Sequence, residues 1–199
     1  IVSVIIIMIC IYSKYNNFEQ AFRLSLFQVT SIISTTGFST ANFDNWPALS
    51  KSILVLLMLF GACAGSTAGG LKSSRIVIMV KAAIRKLKLS IQPRKVETIY
   101  MDKKPISDET INSVNGYFII YIMVLLFCTL IISVDNNDVL TNFTASLSCL
   151  SNIGPGLNLV GPYGNFDVFS GFSKFILAFA FKFVWSKYVF NDLIIKFLS

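Results

Sequence analysis

The sequence predicts an all-α integral membrane protein built from two helix–pore-loop–helix repeats. Three observations predict it: an apolar, charge-poor composition, two long uncharged stretches, and a set of short motifs that occurs twice. Of 199 residues, 54% are hydrophobic and 14% charged, and the mean hydropathy is +0.69. Average soluble domains carry about 25% charge, so the membrane class comes first. The net charge of +7 does not point to nucleic acid, because ten of the seventeen basic residues fall between Lys72 and Lys104, beside apolar segments. That is the positive-inside pattern of a cytoplasmic loop.

Each element follows in order. Residues 1–13 are uncharged and rich in β-branched side chains, and read as the end of a spanning helix whose beginning is missing. A full span needs about 20 apolar residues. Residues 18–33 carry Glu19 and Arg23 and are too polar for a lipid-exposed span; the helix pattern stops at Ser34-Thr35-Thr36-Gly37-Phe38. Residues 52–71 are uncharged, but 61–70 are ten small residues with four glycines. Glycine in a helix interior costs about 1 kcal/mol against alanine, so a broken helix is expected, which at membrane depth requires protein or a water-filled cavity around it. Residues 72–109 form a basic loop with Pro93 and Pro105 as breakers. Residues 110–134 hold no charge and make the cleanest span, about 37 Å at 1.5 Å per residue. Residues 140–150 are a short Ser/Thr-rich helix ending in Ser151-Asn152-Ile153-Gly154-Pro155-Gly156. A last apolar segment begins at Phe175, and Lys182, Lys187, Asp192 and Lys196 then interrupt it.

The repeat is legible in the motifs. Asn42-Phe43-Asp44, five residues, then Ser50-Lys51-x-Ile53-Leu54 recurs as Asn165-Phe166-Asp167, five residues, then Ser173-Lys174-x-Ile176-Leu177, at an offset of 123. Upstream, Ser34-x-x-Gly37 recurs as Ser151-x-x-Gly154 at an offset of 117, which places a six-residue insertion after Gly154. Each half is a spanning helix, a short helix, a glycine turn, the Asn-Phe-Asp loop and a second span. A short helix of about 11 to 16 residues suits a re-entrant segment. Such a helix followed by extended backbone is the element of cation filters, where carbonyls replace the ion's water shell. The helix C-terminus points partial negative charge at the ion, and glycine at positions 37 and 154 admits dihedrals that Cβ blocks.

Four stretches carry a resemblance to a known family: residues 34–39, residues 61–72, residues 151–156, and the loop from Gly161-Pro162 to Asn165-Phe166. With these the chain resembles the Trk/Ktr/HKT potassium transporters over residues 1–178. The resemblance implies half of a four-repeat, channel-like pore subunit, its third and fourth repeats: 1–80, a basic cytoplasmic linker at 81–109, and 110–199. It implies a filter lined by Thr35, Thr36, Gly37 and Phe38 with Asn152, Ile153, Gly154 and Pro155, binding K+ (or Na+) through backbone carbonyls. It implies an intramembrane gating loop carrying Gly61, Gly65, Ser66, Thr67, Gly69 and Gly70, with Lys72 just below. Implied partners are membrane lipid, the missing N-terminal half or a second pore subunit, and a cytoplasmic nucleotide-binding regulator. The implied location is a bacterial plasma membrane, multi-pass, with no covalent cofactor. The family pattern of a Gly-Arg pair and an acidic residue after Ala178 is replaced by Phe-Ala-Phe-Lys, so the chain diverges after about residue 179.

Other readings of the same residues stand beside this one. Gly61-x-x-x-Gly65-x-x-x-Gly69 is also a helix-packing pattern, and a non-transporting membrane fragment or packing scaffold is the alternative function. Leu71, between Gly70 and Lys72, breaks the spacing of a phosphate loop. Asn142-Phe143-Thr144 is a glycosylation sequon inside the second short helix, where chance explains it. Residues 81–88 suit either a topology signal or an anionic-lipid site. The four cysteines have no metal-ligand spacing, there is no histidine, and no paired carboxylates or nucleophile set suggests an enzyme.

Overall fold

The computed structural model describes residues 1–61, 71, 73–92, 98–101 and 104–182. Helix α1, Val2–Tyr15, ends where Asn16 turns left-handed at φ 49°. Asn17 then caps α2, Phe18–Ile33, its side chain accepting the Glu19 N–H at 3.0 Å. A connection containing the turn Phe43–Asn45 leads to Pro47 and helix α3, Ala48–Leu59. At 12 residues α3 is about 18 Å long, shorter than a bilayer core of about 30 Å. It stops because Phe60 is extended, at the threshold of the glycine-rich stretch. The Gly61 N–H bonds the Leu71 carbonyl at 3.0 Å, and the Leu71 N–H bonds the Leu59 carbonyl at 3.2 Å. The chain thus leaves and returns at one point.

Helix α4, Ser73–Ile91, follows. This corrects the loop expected at 72–109: the helix runs across the boundary set at residue 81. Its buried Ile78 and Ala82 lie one turn apart and share a cluster with Ile99, Ile111 and Val114. The density of Lys and Arg concealed that spacing. The all-α expectation also needs a small amendment, since Tyr100–Met101 (β1) and Lys104–Pro105 (β2) pair antiparallel.

Helix α5, Asp108–Ile132, is capped by the Ser107 hydroxyl, with Asp108 and Glu109 in its first turn. Among the described residues it is the one helix long and apolar enough to cross a membrane. Ile119, Met123, Phe127 and Leu130 stand exposed along it, the composition of a lipid-facing surface. The turn Ser133–Asp135 and left-handed Asn136 lead into α6, Val139–Ser151. After two further turns, Asn158–Val160 and Phe166–Val168, helix α7 covers residues 171–182.

The short helices α2 and α6 occupy the centre. Helix α2 packs on α1 and α3, and α6 packs on α3 and α5. Ile7, Ile32, Phe43, Leu54, Met58, Leu147 and Leu150 form the main core. Ser25, Gln28 and Ser31 on α2 are buried, as are Thr141, Asn142, Thr144, Ser146, Ser148 and Ser151 on α6. This polar burial explains why neither helix reads as a lipid-exposed span: its surroundings are protein.

Candidate functional site

The C-terminal ends of α2 and α6 bring the eight expected filter residues into two adjoining loops. An ideal Cβ on Gly37 would lie 1.9 Å from the Ile153 carbonyl oxygen and 3.1 Å from Pro155 Cδ. The loops therefore touch, and only glycine at 37 allows it. Gly37 has φ +77° and Gly154 φ +111°, left-handed backbone that glycine adopts at little cost. The match continues two residues before each glycine: Thr35, just after the α2 cap Ser34, and Asn152, the α6 cap, both sit at φ 54°. Asparagine tolerates this region, whereas a β-branched threonine is strained there.

Backbone pairing in the loops is one-sided. The N–H groups of Thr35, Thr36 and Gly37 turn back to the carbonyls of Ile32 and Ser31. Those of Asn152 and Ile153 turn back to Cys149 and Ser148. The Gly154 N–H donates to Ser148 Oγ at 3.0 Å. Among the described residues, the carbonyls of Thr35, Thr36, Gly37, Asn152, Ile153 and Gly154 accept no hydrogen bond. Six acceptors lacking a protein donor sit where two helix C-termini converge. That arrangement suits a cation, which needs oxygen ligands and is drawn to the negative helix end. Ile153 is buried, Gly37 and Pro155 are half-buried, and Phe38 is exposed.

Two buried serines missed in the sequence hold these loops. Ser31 Oγ donates to the Phe38 carbonyl at 2.6 Å, and Ser148 Oγ accepts the Gly154 N–H. They too are related by 117 residues, so extending the repeated motif back three positions finds them. Tyr121 on α5 and Ser151 share a buried hydroxyl–hydroxyl bond of 2.9 Å. Thr144 Oγ1 accepts the Leu157 N–H at 3.0 Å, tying the second loop to α6. The sequon residue Asn142 is fully buried, donating to Asn137 O at 3.1 Å and Ser133 Oγ at 3.3 Å, so it is a structural group.

Beyond the glycine turns, Asp44 Oδ1 accepts the Asn158 N–H at 3.0 Å. Burial pushes the Asp44 carboxyl above its ordinary 3.8, while the Asn158 N–H and the charge of Lys51 pull it back. Asp167, its counterpart, pairs with Lys174 at 3.1 Å. A cleft of about 360 Å³ opens beside Asn152 and Gly154; Cys149, Phe166, Leu177, Ala178 and Phe181 make most of its wall, and Ser148 and Lys174 add polar groups. Most of its wall is apolar, so it offers a cation fewer oxygen ligands than the free carbonyls do.

Of the expected gating residues, Gly61 is buried and hydrogen-bonded to Leu71. Gly65, Ser66, Thr67, Gly69, Gly70 and Lys72 lie outside the described residues. Among the described cysteines, Cys10, Cys128 and Cys149 are free thiols. No group of three metal-ligating His, Cys, Asp or Glu side chains occurs among the described residues.

Short buried polar helices inside an apolar helical exterior give the fold of a helical integral membrane transporter. The crystal structure of the potassium transporter TrkH from Vibrio parahaemolyticus superposes on it with a TM-score of 0.84 at 30% identity, covering 98% of this chain and 41% of that one. The family profile TrkH, described as cation transport protein, matches residues 6–181. The chain belongs to this TrkH family, one of transporters and not of enzymes. The Trk system potassium uptake protein TrkH of Vibrio parahaemolyticus is 34% identical over 164 residues, covering 80% of this chain and 34% of the relative. TrkH of Escherichia coli is 31% identical over 166 residues, 83% of this chain and 34% of that protein. TrkG of Escherichia coli is 28% identical over 160 residues, 80% of this chain and 33% of that protein. The chain thus spans about a third of the length of the curated relatives it matches.

Proposed function

We propose that this chain supplies two strands of a carbonyl-lined K+ filter and serves potassium uptake across a membrane. Two pore-loop repeats, 1–80 and 110–199, each contribute a re-entrant helix and one filter strand. Thr35 to Phe38 and Asn152 to Pro155 face the ion path, with Na+ the competing cation. Residues 61–70 gate the path from below, with Lys72 at the loop's exit and the basic segment on the cytoplasmic side. The observation that carries the reading is the one-sided pairing: amides bonded back to α2 and α6, with six carbonyls left for a cation. The names of the relatives, all Trk potassium uptake proteins, supply the ion.

Two strands make half of each carbonyl ring. The chain then works with a complementary pore half, from the missing N-terminal repeats or a second subunit, in the plasma membrane of a bacterium. A cytoplasmic nucleotide-binding subunit is the expected regulator. The test is rescue of a potassium-uptake-deficient bacterium with and without the upstream half. Equal growth from both would sink the half-pore argument. In the complete assembly, Gly37→Ser or Gly154→Ser relaxes K+ selectivity over Na+, and an unchanged ratio in both removes the filter assignment.

A further inference from the structure

The Asn-Phe-Asp loop occurs twice, but its carboxylate is used in two ways. In the second half Asp167 binds Lys174, seven residues on, at 3.1 Å. Lys51 stands in the same place relative to Asp44. Yet Asp44 reaches to the other half and accepts the N–H of Asn158, 114 residues away, at 3.0 Å. Asn158 Nδ2 in turn donates to Asp138 Oδ2 at 3.0 Å. Asp138 is the residue on which α6 starts. Two further features fit this contact. Asn158 adopts φ +56°, a conformation asparagine tolerates. A Cβ on Gly161 would fall 1.8 Å from Asp44 Oδ2, so glycine leaves the space the carboxylate occupies. Both residues belong to the stretch after Gly154 where the second half is six residues longer.

We propose that Asp44, Asn158 and Asp138 form a brace that fixes the separation of the two filter loops, making Asp44 a positioning residue for ion selectivity. The inference rests on the filter reading above. The loops meet at Gly37 and Ile153. One contact alone lets two strands pivot about each other. The brace adds a second, seven residues beyond Gly37 and four beyond Gly154. It also ties both to the start of the helix whose far end carries Asn152. Two separated contacts fix both distance and twist, which a ring of carbonyls needs in order to prefer one cation radius.

The experiment measures Na+ competition against rubidium-tracer uptake in vesicles holding the complete assembly. Asp44→Ala and Gly161→Ala each cut the K+ over Na+ preference about tenfold, equivalent to about 1.4 kcal/mol of relative ion binding. Asp44→Asn keeps an acceptor oxygen and holds the preference within about threefold of the parent, or about 0.65 kcal/mol. Asp167→Ala removes the same charge without touching the brace and leaves the ratio unchanged. Asp44→Ser shortens the arm and answers the same question if the alanine variant does not reach the membrane. Gly37→Ser runs in parallel as the filter control. If Gly37→Ser changes the ratio and none of the Asp44 or Gly161 variants does, the brace is overturned and the filter stands. Equal losses from Asp44→Ala and Asp167→Ala also overturn it, by assigning the effect to surface charge. If Gly37→Ser changes nothing either, the filter reading falls and takes the brace with it.

Discussion

Gly37→Ala tests the closest approach between the two loops. The added Cβ would sit 1.9 Å from the Ile153 oxygen and 3.0 Å from its carbon. A relaxed carbon–oxygen contact is about 3.3 Å, so the loops must part by roughly 1.4 Å. Holding an L-residue at φ +77° costs a further 1–2 kcal/mol or so, and overpacking of this kind typically adds about 1–3 kcal/mol. Together the substitution removes about 2–5 kcal/mol, with most of the distortion at the expected ion ligands. Gly154→Ala is the internal comparison. Among the described residues other than its chain neighbours, no atom lies within 4 Å of its Cβ, so it meets chiefly the dihedral penalty at φ +111°, about 1–3 kcal/mol. The assays are thermal unfolding of the purified assembly in detergent and rubidium-tracer competition with Na+. Gly37→Ala is expected to lower the melting temperature more than Gly154→Ala and to lower K+ preference by at least about tenfold. An alanine at 37 with parental melting and parental selectivity would refute the claim that these loops abut.

Three further outcomes are expected. Ser31→Ala and Ser148→Ala each remove one hydrogen bond holding a loop, costing about 1 kcal/mol apiece in unfolding and loosening selectivity in the tracer assay. Asn142→Ala removes two donations from a fully buried amide, costing about 1–3 kcal/mol, and the parent chain shows no glycan mass in a glycosylating host. Asp44 has a pH signature. Because burial raises its folded value above 3.8, its contribution to stability is fully present below 3.8 and is lost as pH rises through the folded value. Lys51 is the cation that moderates this loss. The stability of Asp44→Asn relative to the parent therefore rises from pH 4 to pH 7, measured by melting at each pH; a flat difference would contradict the partial desolvation of this half-buried carboxylate.

The features governed by local chemistry were legible in the sequence. The uncharged run at 110–134 marks α5 to within two residues at each end. Glycines at 37 and 154 announce left-handed turns, and the small-residue run after Phe60 announces the end of α3. What could not be read depends on distant partners. The helix through the basic stretch owes its place to Ile78 and Ala82 meeting Ile111 and Val114, and apolar content alone undervalues it. Ser31 and Ser148 left a signal in the repeated spacing, but serine is so common in these helices that only the loop geometry distinguishes them. The Asp44–Asn158 bond left none, because its partners lie 114 residues apart and the repeat itself, as in Asp167–Lys174, offers Asp44 a cation only seven residues on.

The two hydrogen bonds joining Gly61 and Leu71 to each other and to the end of α3 have a mechanical meaning. They fasten Leu71, two residues before α4 begins, directly to the end of α3. Lengthening a loop between two fixed ends costs little, about 0.6 kcal/mol per doubling of its length. Insertions between Gly61 and Leu71 are therefore expected to leave the register of α3 and α4 intact, so that changes in the proposed gate act on the ion path without being passed to the scaffold.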